Sequence, residues 1–141
     1  MKVIFLDVDG VLNSSQDGNS IRLRTDSHLK LLQRIVRVTG AKIVLSSSWR
    51  NGPAKVLNNL HKRLEEYGLE IMDSTPDLGS LCRGDEIRHW LKGNGKLVEK
   101  FAILDDEDNM AEFTESNLVQ TDSRIGLQEE DSTRCIKMLN S

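Results

Sequence analysis

The chain has 141 residues, 38% of them hydrophobic, and a formal net charge of −3. That length suits a single domain (1–141) around one core, and the charge excludes a generally basic surface of the kind that grips nucleic acid without selectivity, while leaving room for a local basic mouth. No apolar run approaches the roughly 20 residues of a membrane span, and the apolar start is broken at once by Asp7 and Asp9, unlike a signal peptide.

In chain order, Val3 to Leu6 is a short continuous apolar run, as expected of a strand buried on both faces of a parallel sheet. Leu29, Leu32 and Val36 then recur at helical spacing, with Thr25 or Asp26 to cap the start and Gly40 to end it. Ile43 to Leu45 is a second strand. A second helix opens at Pro53, carries Leu57, Leu60, Leu64 and Tyr67 on one face, and stops at Gly68. Leu69 to Met72 is a third strand, and a helix with Ile87, Trp90 and Leu91 inward follows Arg83-Gly84-Asp85. Phe101 to Leu104 is the fourth strand, Leu118 to Thr121 the fifth, and a last helix runs from about Gln128 to Leu139.

Strands alternating with helices imply an open parallel α/β sheet, in which ligands bind beyond the carboxyl ends of the strands. Polar residues follow three of the apolar runs directly: Asp7 and Asp9, then Ser46 to Ser48, then Asp105 and Asp106. Carboxylates buried together from separate strands require a compensating cation, and a set of hard oxygen ligands favours Mg²⁺. Asp7 is placed to act as a carboxylate nucleophile, Asp9 as general acid and base, and the hydroxyls around Ser46 with Arg83 to stabilise a phosphoryl group in transfer.

These residues resemble the haloacid dehalogenase-like (HAD) hydrolase superfamily in all four of its motifs: Asp7-Val8-Asp9-Gly10-Val11-Leu12, Ser46 after an apolar strand, Arg83, and Leu104-Asp105-Asp106. Within it, Leu45 to Arg50, the Arg83-Gly84-Asp85-Glu86-Ile87 segment, and Thr121-Asp122 ahead of Gly126-Leu127 are similar to the compact HAD domains of RNA-repair-associated (Swiss Army Knife) proteins. The resemblance implies a Rossmann-like domain with helices on both faces of a sheet of about five strands, in the order 5-4-1-2-3. It further implies an aspartyl-phosphate on Asp7, acid/base work by Asp9, and Mg²⁺ held by Asp7, the Asp9 backbone carbonyl and Asp105, with Asp106 as an outer partner. The phosphate-binding hydroxyl is either Ser46 or Ser47. Arg83 stands where the third motif more often has Lys, so a forked, permanently charged donor replaces a point charge. The segments 14–25 and 49–83 are too short or too regular for a large cap, and in this family an open site goes with bulky or macromolecular substrates.

At the periphery, Arg22 and Arg24 would share a face of an extended flap and hold a second phosphate, or be solvated. Trp49 and Arg50 either stack on a nucleotide base or, for Trp49, pack in the core. His28, His61 and His89 lack ligand spacing and are expected at the surface. Cys82 and Cys135 form neither a metal cluster nor a disulfide framework, which suggests a reducing, cytoplasmic setting. The function expected is Mg²⁺-dependent phosphomonoester hydrolysis on a nucleotide or nucleic-acid terminal phosphate. The alternatives are a small-metabolite or sugar phosphatase, and a catalytically silent phosphate- or nucleic-acid-binding module.

Overall fold

The computed structural model describes residues 1–79 and 82–141. Its elements in chain order are β1 (Lys2–Leu6), α1 (Asp26–Thr39), β2 (Lys42–Leu45), α2 (Ala54–Glu65), β3 (Ile71–Ser74), α3 (Arg83–Asn94), β4 (Lys100–Asp105), β5 (Leu118–Gln120) and α4 (Glu129–Asn140). The sheet order is β3-β2-β1-β4-β5 and every pairing is parallel, which is the expected order read from the other edge. No large cap interrupts it, because the stretch between β2 and α3 is used up by a 3-10 turn, α2 and β3.

The central strand explains why the apolar runs are continuous. Val3, Ile4, Phe5 and Leu6 are all fully buried, but successive side chains point to opposite faces. Val3 and Phe5 join Val44, Ile103, Ile87 and Trp90 on the face covered by α3. Ile4 and Leu6 join Leu29, Leu32 and Ile35 of α1 and Cys135 and Leu139 of α4 on the other. Phe5 sets its ring edge-on to Trp90 and to Phe101, 5.4 and 5.6 Å between centroids, which fixes α3 on its face of the sheet.

Some boundaries differ from the sequence expectation. The α2 helix ends at Glu65 rather than at Tyr67, and β3 starts at Ile71 rather than Leu69. Leu69 is buried, but its N–H donates to Leu64 O at 3.0 Å, so it closes the end of α2 and does not join the sheet. His28 is not a surface residue. It is 3% exposed, with Nδ1 2.9 Å from the Leu127 carbonyl and Nε2 3.8 Å from Asp17 Oδ2. Gly126, at φ 71°, is the residue it packs on, and a Cβ there would lie 2.7 Å from the imidazole. Among the described residues, no helix is long and apolar enough to cross a membrane.

Candidate active site

The two-residue alternation that buries β1 on both faces also aims its polar continuation. Asp7 follows the parity of Val3 and Phe5, and Asp105 that of Ile103, so both carboxylates emerge on the face where α3 begins. The strand ends are in register there: the Asp7 N–H donates to Leu104 O (2.9 Å) and the Ser46 N–H to Leu6 O (2.8 Å). Arg83, the first residue of α3, closes the group. Its Nη1 lies 3.0 Å from Asp7 Oδ1 and 3.2 Å from Asp105 Oδ2, and donates to Ser46 O at 2.8 Å. Nη2 and Nε have no protein partner among the described residues.

Asp7, Asp105 and Asp106 each offer a carboxylate oxygen within 4.8 Å of the other two. Asp106 thus brings its carboxylate close to the other two. Burial pushes the Asp7 carboxyl up, against the pull of Arg83; burial and then the Asp7 charge push the Asp105 carboxyl up, with Arg83 again opposing. Three carboxylates facing one guanidinium leave two negative charges unbalanced when all are ionised.

Asp9 is positioned apart from this group. The turn after β1 is tight, with the N–H groups of Val11 and Leu12 both donating to Val8 O, and it points the Asp9 side chain outward. Two donors hold its two oxygens: Asn13 Nδ2 on Oδ1 and the Trp49 indole Nε1 on Oδ2, each at 2.9 Å. Asn13 is fully buried and also accepts from the Gly10 N–H (2.9 Å). The loop after β5 clamps the same turn, since Thr121 Oγ1 donates to Gly10 O (2.7 Å) and the Leu127 N–H to Val11 O (2.8 Å). Gly10 has φ 79° and touches Asp106, whose Oδ2 would lie 2.5 Å from a Cβ at that position.

The two serines that could bind phosphate differ in their partners. Ser47 Oγ accepts from the Trp49 N–H at 3.2 Å and caps the following turn, whereas Ser46 Oγ is buried without a partner among the described residues. Trp49 is 7% exposed and Arg50's side chain 11%, so neither presents a face on which a base could stack. Arg50 instead pairs with the buried Glu86 (2.9 Å) and donates to Ser47 O (2.8 Å). With Arg83, Ser48, Asn51 and Asp77 it lines a polar cavity of about 350 Å³. Arg22 and Arg24 are exposed but do not share an extended flap. Leu23 between them has φ 52°, its N–H reaching Ser20 O at 3.3 Å and its side chain fully buried, so strand alternation does not apply.

The sequence reading did not single out Asn13, the hydrogen-bonding use of Trp49, or the close approaches at Gly10 and Gly84. An Asn four residues after the second carboxylate was the available signal for the first. The others depend on contacts between distant segments. Gly84 shows this most clearly: a Cβ there would meet the Met110 carbonyl carbon and oxygen at 2.4 and 2.5 Å.

Comparison with known proteins gave no matching curated relative and no matching solved structure. Residues 3–132 do match the family described as HAD domain in Swiss Army Knife RNA repair proteins. With that match across nearly the whole chain, the protein belongs to this family of HAD domains.

Proposed function

We propose that the chain hydrolyses phosphomonoesters through an aspartyl-phosphate on Asp7, with a nucleotide or nucleic-acid terminal phosphate as substrate. The observation that carries the reading is the division of labour between two carboxylates two residues apart. Asp7 is buried against Arg83, and Asp9 is held outside that group by Asn13 and Trp49. In the first step an Asp7 oxygen attacks phosphorus, the bond from phosphorus to the leaving oxygen breaks, and Asp9 gives that oxygen its proton. In the second, water attacks phosphorus, its proton returns to Asp9, and the acyl-phosphate bond breaks to restore the Asp7 carboxylate. The Ser46 hydroxyl, unpartnered among the described residues, and the Arg83 guanidinium are the donors suited to the phosphoryl oxygens.

The donor set fits Mg²⁺: it is all oxygen, and its two unbalanced charges match a divalent cation. Asp7, Asp105 and Asp106 would hold it, alongside the Asp9 carbonyl that the family resemblance implies. When bound, the ion supplies charge neutralisation at the phosphoryl oxygens. The sign of its effect on stability follows from the raised carboxyls. Folded-state values of about 6 for Asp7 and about 8 for Asp105, above an ordinary 3.8, mean that the metal-free protein loses stability as pH rises through that window. Mg²⁺ at about 100 times its Kd adds about 2.7 kcal/mol. Its stabilisation is therefore expected to be larger at pH 8 than at pH 5, where protons compete for the ligands. Thermal melts with Mg²⁺ or chelator at both pH values check this, and Asp105→Asn should remove most of the difference.

Positioning of Asp9 by the indole gives a separate expectation. Trp49→Phe keeps the buried ring and deletes the donor, so kcat should fall about tenfold or more for a loss of one charge-assisted hydrogen bond, with KM little changed. A fall in Tm with normal kcat would contradict it.

The substrate class is supported by the family's RNA-repair setting and by the lack of a large cap among the described residues. Its test is Mg²⁺-dependent phosphate release from oligonucleotides phosphorylated at the 3′ or 5′ end, mononucleotides and sugar phosphates. Preference for an oligonucleotide or nucleotide supports the reading, preference for a sugar phosphate overturns the substrate class, and release from none overturns the activity.

A further inference from the structure

Outside the strand-end cluster, the loop before α1 and one side of α2 form a groove of about 420 Å³. Arg22, Lys55 and Lys62 line it, with Asn59 and the apolar Ile21 and Val56, and none of its lining residues is a carboxylate. All three cations are exposed, and the ion pairs among the described residues include none of them. What sets these three apart is that they line one groove with no carboxylate in its wall.

The groove is built rather than incidental. Arg63 Nε donates to Leu23 O (3.0 Å) and Asn59 Nδ2 to Ile21 O (3.3 Å), so the carbonyls on either side of Arg22 are tied to α2. Lys55 and Lys62 are seven residues apart, which places them about 10 Å apart along one helix face. Ile21, 56% exposed, and Val56 add apolar surface to the lining. The loop that carries Arg22 is hydrogen-bonded to the site, because Asn13 Nδ2 donates both to Asp9 Oδ1 and to Ser20 O (3.3 Å), two residues before Arg22.

We infer that this groove binds the backbone of a single-stranded nucleic acid. Uncompensated cations spread about 10 Å along one helix face suit successive phosphates of a strand, and Ile21 and Val56 give its sugars and bases apolar surface to lie against. That the strand's phosphorylated end is thereby led to Asp7 rests on the function proposed above; binding to the groove does not.

The test is fluorescence anisotropy of a labelled, unphosphorylated oligothymidylate with the full chain and the variant Arg22→Gln/Lys55→Gln/Lys62→Gln, with Lys92→Gln/Lys96→Gln as control. The expected result is a Kd raised at least tenfold in the triple variant alone, with a salt dependence shallower by about 2 in log–log slope for three lost phosphate contacts. Phosphate release provides a second readout, in which KM should rise for a phosphorylated oligonucleotide and not for a mononucleotide. Wild-type Kd and salt slope in the triple variant would overturn the inference. So would displacement of the oligonucleotide by polyglutamate at equal charge concentration, which would mark the groove as a site for acidic protein. Binding lost in the variant while the wild type releases no phosphate would uphold the groove and count against the hydrolase reading alone.

Discussion

Asp7→Asn is expected to lower kcat by about 10⁴-fold or more while leaving the metal-free protein at least as stable as wild type at pH 8. The loss follows from chemistry: the amide has the shape of the carboxylate and no nucleophilic oxygen, and losses of this size are usual when a covalent nucleophile is removed. The stability result follows from burial. Asp7 is 6% exposed, and the raised position of its carboxyl means that the ionised form is disfavoured in the folded chain despite Arg83. A neutral isostere removes that penalty and the repulsion with Asp105, so Tm of the chelated variant should rise at pH 8. A structural role for Asp7 would give the reverse pattern, with a lowered Tm accounting for lost activity.

The second large effect is expected at Gly84. A glycine inside a helix ordinarily gives way to alanine with a gain of about 0.5–1 kcal/mol, and Gly93, on the same helix with open space at its Cβ position, should show that gain. At Gly84 the sign reverses. The backbone of α3 meets that of the loop after β4 so closely that a methyl group would lie 2.4 Å from the Met110 carbonyl carbon, and the Gly84 N–H donates to Asn109 O at 3.2 Å. A backbone contact cannot relax as a flexible side chain would, and overpacking of this kind costs about 1–3 kcal/mol. Because Arg83 is the preceding residue, displacement of α3 also draws its guanidinium away from Asp7 and Asp105. Gly84→Ala should therefore lower Tm and kcat together, whereas Gly93→Ala should raise Tm and leave kcat unchanged. Parallel melts and kinetics on the two variants separate these outcomes.

The fold was legible in the sequence because β1, β2 and β4 are buried on both faces and so read as unbroken apolar runs, each followed at once by a polar residue. Their parallel register then determines which polar residues meet, so Asp7, Ser46 and Asp105 were visible as a set, and Arg83 was named from its place at the start of α3. Edge elements were less legible. The third strand was read two residues early, because Leu69 looked like strand although its backbone belongs to the end of α2, while the exposed Asp73 and half-buried Ser74 at the true end of β3 carry no apolar signal. Residues whose part depends on another segment's side chain were not legible. Nothing in the Leu45 to Arg50 run marks Trp49 as the donor to Asp9, nothing near Arg50 marks Glu86 as its partner, and nothing about His28 marks the Leu127 carbonyl and Gly126 as its surroundings.

The most direct test of the central claim is an acid-quenched single turnover with a substrate carrying a labelled terminal phosphate, followed by peptide mapping. Label on the peptide that contains Asp7, released by hydroxylamine and absent from Asp7→Asn, is the result expected of an aspartyl-phosphate. Turnover of the labelled substrate by wild type with no label on the chain at any quench time, together with retained activity in Asp7→Asn, would contradict it.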